Sequence, residues 1–139
     1  MIVLDASLGI DWLFQQTQTS AVPAIDAALR DSAVIVPSHW PLEIANTLVP
    51  ELRGQRISIA DFHAIIDRLD KLDIRVEPPI ELDEIGPTTQ FAVQYGLTSY
   101  DAAYVQLALQ RQASLGTLDR AMRRAAATLN LPLLPAATE

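Results

Sequence analysis

The chain has 139 residues, half of them hydrophobic and 19% charged, with a formal net charge of −7 and no cysteine. These values fit one folded domain, residues 1–139, and exclude a disordered chain, a disulfide framework and a thiolate metal site. The acidity argues against a broad basic face that holds nucleic acid by charge alone, but it leaves room for a local acid cluster that binds metal ions. No apolar run approaches the roughly 20 residues of a membrane span. The start, MIVLD, lacks a basic n-region, so no signal peptide is expected. The absence of cysteine fits a reducing compartment, and a cytoplasmic location is expected.

Taken in chain order, IVLD (2–5) is a short apolar run ending at an acid, the pattern of a buried strand. Residues 7–16 and 23–31 are predicted helices, the second with Pro23 in its first turn. AVIVP (33–37) is β-branched and stopped by Pro37, which predicts a second strand. A helix follows over about 39–53, with Pro41 in its first turn and Pro50 bending its end. Segment 58–72 carries Phe62, Ile65, Ile66, Leu69 and Leu72 on one helical stripe, with Ser58 and Asp61 spaced as a capping box. IRVEP (74–78) is a third short strand. Residues 81–95 form a helix broken at Gly86-Pro87, with Gly96 as its C-cap. Then come helix 99–112, strand SLGTL (114–118), helix 120–129, a last strand 131–134 and a fraying tail, PAATE. Alternating strands and helices predict an α/β fold with three layers, α/β/α, around a central, mostly parallel sheet.

In such sheets ligands sit beyond the carboxyl ends of the strands. Two predicted strands end there in an acid, Asp5 after IVL and Asp119 after LGTL. The strand AVIV feeds the helix that carries Glu43. Asp101 starts the helix just upstream of the strand that ends at Asp119. Each acid has a purely structural explanation. Thr98 and Asp101 have capping-box spacing, Asp5 and Asp119 each precede a helix, and Glu43 sits where a helix dipole favours an acid. Their joint placement at one sheet edge favours a site. Clustered carboxylates repel, and a divalent cation resolves that conflict. Oxygen-only ligands favour Mg²⁺ or Mn²⁺ over Zn²⁺. The chemistry that suits such an ion best is hydrolysis of a phosphodiester.

VLDAS (3–7), PLEIAN (41–46), LTSYDAAYVQLA (97–108) and GTLDRAMRRAA (116–126) resemble, in order and spacing, the four acidic motifs of PIN-domain ribonucleases. They are most similar to the VapC-type toxins of toxin–antitoxin modules, and the resemblance spans essentially the whole chain. It implies a PIN-like fold, RNA cleavage with Mg²⁺ or Mn²⁺, and Asp5, Glu43, Asp101 and Asp119 as metal-binding, catalytic acids. Ser7, Asn46 and Thr117 match polar positions near that family's site and are implied to hold water or orient ligands. A homodimer and a cognate antitoxin that docks near the site are implied as partners. The departures are Gly116, where alanine is commoner, and Met122, where leucine is commoner.

Two histidines, His39 and His63, are too few for a zinc site. His63 is expected at a surface or boundary, and His39 is expected to be structural. Trp12, Phe14, Trp40, Tyr100 and Tyr104 are scattered and are expected to anchor the core or an interface. No phosphate-binding glycine loop occurs. Arg53 and Arg56 fit a solvated helix end better than a phosphate contact. An alternative to the nuclease is a non-catalytic PIN-like module that binds protein or regulates. A phospho-acceptor receiver-like domain is disfavoured, since it needs a late strand-end Lys and the one Lys here, Lys71, lies in a helical stripe.

Overall fold

A computed structural model describes residues 1–14 and 22–136. Five parallel strands form one sheet in the order β3-β2-β1-β4-β5. The strands are β1 (Ile2–Leu4), β2 (Val34–Val36), β3 (Ile74–Val76), β4 (Ser114–Gly116) and β5 (Leu133–Leu134). All residues of β1 and β2 are buried, as expected of strands covered on both faces.

The helices are α1 (Ala6–Phe14), α2 (Val22–Asp31), α3 (Trp40–Arg53), α4 (Ile59–Asp70), α5 (Ile85–Tyr95), α6 (Ser99–Arg111) and α7 (Arg120–Thr128). The chain moves from β1 to β2 to β3 in one direction, then crosses to β4 and β5 on the far side of β1. Right-handed crossovers therefore put α1 to α4 on one face and α5 to α7 on the other. The contacts agree: α1 packs on α2, α3 and α4, while α6 packs on α5, α7, β1 and β4. The fold is the expected three-layer α/β/α, with Val3, Leu4, Ile35, Val105 and Leu115 in its core. Among the described residues, no helix is long and apolar enough to cross a membrane.

Local chemistry explains most boundaries. The Ser58 hydroxyl accepts the Asp61 N–H at 3.0 Å and the Asp61 carboxylate accepts the Ser58 N–H at 3.1 Å, which closes the expected capping box of α4. Gly96 ends α5 at φ 67°, a conformation that only glycine adopts without strain. Segment 81–95 differs from expectation. It is a 3-10 turn (Leu82–Glu84) followed directly by α5, with no break at Gly86-Pro87. Pro87 falls in the first turn of α5, where its missing N–H is not needed. Pro50 is accommodated inside α3, which continues to Arg53. Strands expected over 33–37, 74–78, 114–118 and 131–134 are shorter, reduced to Val34–Val36, Ile74–Val76, Ser114–Gly116 and Leu133–Leu134. Residues 15 and 16 of the first expected helix and 137–139 of the tail lie outside the described residues.

Candidate functional site

The strand order reverses between β1 and β4, and such a switch point opens a crevice at the carboxyl edge of the sheet. Asp5 follows β1 there. Its N–H still donates to Gly116 O at 2.9 Å, so the ladder holds its backbone. Its side chain is 2% exposed and accepts three hydrogen bonds. Oδ1 takes the Ser7 hydroxyl at 2.7 Å and the Leu8 N–H at 2.9 Å, and Oδ2 takes the Thr117 hydroxyl at 2.7 Å. Asp5 is thus an N-cap for α1 and a carboxylate of the crevice at once.

Thr117, just past β4, is fully buried. While donating to Asp5, its hydroxyl oxygen accepts the Asp119 N–H at 3.0 Å, so one side chain ties both strand-end acids together. Asp119 Oδ2 caps α7 by accepting the Met122 N–H at 2.9 Å. Behind this turn, Arg123 donates to Thr117 O at 2.9 Å and to Pro135 O at 2.8 Å, clamping the loop to the last strand.

Asp101 lies in the first turn of α6, where the Thr98 hydroxyl accepts its N–H at 3.1 Å. The reciprocal bond of a capping box, from the Thr98 N–H to the Asp101 carboxylate, is absent among the described residues, in contrast to Ser58 and Asp61. The cap therefore uses Thr98 and the Asp101 backbone, and the Asp101 carboxylate is left to the Thr98 hydroxyl and the charges around it rather than to the Thr98 N–H. Glu43, in the first turn of α3, faces His39 one turn earlier, with Glu43 Oε1 at 3.1 Å from His39 Nε2.

Electrostatics link the four acids in a ring. Burial raises Asp5, and the Asp119 charge adds to it against the three donors that favour ionisation. Burial also raises Glu43, helped by the charges of Asp5 and Asp101. Asp101 is raised by burial and then by Asp119, while Thr98 and His39 oppose. Each acid thus lies within range of another's charge, and three resist ionising. This is the conflict that a cation relieves. The donor set is all oxygen, which in its chemistry suits Mg²⁺ or Mn²⁺. As the side chains stand, no group of three or more acidic or histidine residues is arranged to hold a metal ion among the described residues.

The other expected site residues divide. Ser7 and Thr117 bond directly to Asp5. Asn46 is exposed on α3 and makes no side-chain hydrogen bond among the described residues. Sequence reasoning missed His39 and Tyr104, which it assigned to structural roles. The His39 ring lies edge-on to Tyr100 and Tyr104, with centroids 5.3 and 5.1 Å away. Burial lowers its pKa, against the Tyr100 backbone and the Asp101 charge. Burial and the charges of Glu43 and Asp5 raise that of Tyr104. The available signal was the i,i+4 spacing of His39 to Glu43 and of Tyr100 to Tyr104. Arg56 is spent locally, on Glu51 and the Pro50 carbonyl.

Fold and site together define the chain as a doubly wound, all-parallel α/β protein with four acids gathered at the carboxyl edge of its topological switch point. Among solved structures it is similar to PAE2754 from Pyrobaculum aerophilum, at 26% identity and a TM-score of 0.63, covering 87% of this chain and 76% of that one. No family model and no curated protein matches the chain.

Proposed function

We propose that the chain is a metal-dependent ribonuclease of PIN-like type, the toxin of a type II toxin–antitoxin pair. The observation that carries this reading is the ring of four carboxylates, Asp5 and Asp119 in the turns after β1 and β4, Glu43 and Asp101 in the first turns of α3 and α6, around one switch point. Together with the four-motif resemblance, it supports a site that hydrolyses RNA phosphodiesters. The four acids would hold Mg²⁺ or Mn²⁺. When bound, the ion polarises a phosphoryl oxygen and lowers the pKa of a water. Ser7 and Thr117 orient Asp5, and Thr117 also fixes the Asp119 backbone. Asp101, whose carboxylate does not close a capping box on the Thr98 N–H, can turn toward a ligand. RNA, a cognate antitoxin, a second copy of the chain and a cytoplasmic setting belong to the same proposal. Exposed Leu82, Ile85 and Val93, on and just before α5, offer apolar surface for one of the protein partners.

The test is cleavage of total cellular RNA by purified protein with Mg²⁺, with Mn²⁺ and with EDTA, beside Asp101→Asn. Discrete metal-dependent fragments that vanish in the variant are expected. Identical patterns from wild type and variant assign the cleavage to a contaminant and remove Asp101 from the site.

One observation favours the second reading, a non-catalytic module that binds protein. Asp5 and Asp119 both serve as helix caps, and no three acids stand at ligating separation among the described residues. Under that reading Mn²⁺ leaves the melting temperature unchanged.

A further inference from the structure

Among the described residues, four buried side-chain nitrogen or oxygen atoms lack a hydrogen-bond partner, and two of them, His39 Nε2 and Tyr104 Oη, stand beside one carboxyl group. Tyr104 projects from α6 and is 1% exposed. Its hydroxyl lies within hydrogen-bond reach of the Glu43 carboxyl and the Ala6 N–H and within range of the Asp5 charge, but neither contact has the alignment of a full hydrogen bond. His39 Nε2 is 3.1 Å from Glu43 Oε1, close enough but poorly aimed. An unpartnered hydroxyl in a dry site is unfavourable, and a phenyl ring would fill the same space without that cost. Two such donors beside one acceptor mark a carboxylate that has two built-in clamps and has not closed on them.

The geometry points to Tyr104 and His39 as positioning residues for Glu43: two donors, one from each face of the sheet, that fix its carboxylate beside Asp5. α3 carries Glu43 with His39 at its N-cap, and α6 carries Tyr104 across the crevice. Tyr100 and Tyr104 hold the imidazole ring edge-on, which fixes where Nε2 points. The inference rests on the metal-site reading and adds a specific prediction to it. Groups behind a metal ligand typically govern affinity by about 10- to 100-fold.

Calorimetric titration with Mn²⁺ alone, on the full chain without RNA, tests it, alongside melting temperatures in EDTA. Tyr104→Phe is expected to melt at the same or a higher temperature in EDTA, because it deletes an unpartnered buried hydroxyl. It is nevertheless expected to bind Mn²⁺ about 10- to 100-fold more weakly. His39→Ala is expected to lose affinity as well, and His39→Gln, which keeps an N–H donor, to regain part of it. Wild-type affinity in Tyr104→Phe overturns the clamp while leaving the metal site standing. A wild-type chain that takes up no Mn²⁺ removes the metal site and the clamp together.

Discussion

Asp5 shows at the scale of one residue how a cap and a site residue coincide. Its carboxylate satisfies three donors in a buried place, yet burial and Asp119 make its charged form unfavourable there. Shape and charge can be separated by two substitutions. Asp5→Asn keeps an acceptor for the Leu8 N–H and removes the charge. In metal-free protein at neutral pH it is expected to leave stability unchanged or raised. Asp5→Ala strands the Leu8 N–H and two hydroxyls, and is expected to destabilise by about 1–3 kcal/mol. Denaturant melts of the two variants in EDTA check this. A loss in Asp5→Asn as large as in Asp5→Ala would mean that the ionised carboxylate is the better structural group. If the proposed function holds, both variants lose metal-dependent cleavage, by at least the roughly 100-fold that loss of a group behind a ligand can cost.

At the scale of elements, the starts of α4 and α6 carry the same sequence signal, Ser/Thr-x-x-Asp, and end differently. Asp61 returns its carboxylate to the Ser58 N–H, whereas Asp101 does not return its own to the Thr98 N–H. The spacing can set up a capping box, but the surroundings decide whether the acid closes it. For α6 the expected result is a split. Thr98→Ala costs about 1 kcal/mol by removing the cap, while Asp101→Asn costs nothing in metal-free protein. Equal losses in urea melts would restore Asp101 to a purely structural role. The same comparison shows what was legible. Strand positions, the α4 box and the Gly96 cap rest on local chemistry and could be read from the chain. So could the strand-end acids, because a parallel sheet gathers them at one edge. His39 and Tyr104 could be read only in part: the i,i+4 spacings of His39 to Glu43 and of Tyr100 to Tyr104 are local, but the meeting of the two residues through α3 and α6 is not. Asn46, suggested by its motif, is exposed on α3 one turn after Glu43. The break expected at Gly86-Pro87 failed because composition does not say which helical turn a proline will occupy.

At the scale of the whole molecule, a chain of net charge −7 concentrates four of its acids at one edge, so its stability should respond to pH and to divalent cations together. Asp5, Glu43 and Asp101 have folded-state values above their ordinary 3.8, 4.5 and 3.8. Above those raised values the charge of these carboxyls weakens the fold. As pH falls through the raised values, the folded state takes up protons first and stability rises. That gain is complete once pH reaches the ordinary values. His39 opposes it, because its folded value lies below 6.5 and the unfolded chain protonates first as pH drops below 6.5. Three carboxyls against one imidazole predict a net rise in melting temperature on acidification in EDTA. Below the ordinary carboxylate range the ionised Asp61 side chain, favoured by Ser58, is lost and the trend turns over. A cation should replace the protons. At 100 times its dissociation constant, Mn²⁺ contributes about 2.7 kcal/mol, on the order of 10 °C for a chain of this length, and its effect fades as the acids protonate. Melting curves between about pH 4.5 and pH 8, with EDTA and with Mn²⁺, should therefore converge at the acid end and diverge at the neutral end. Parallel curves, or a neutral-pH curve unmoved by Mn²⁺, would show that the four carboxylates do not act as one site.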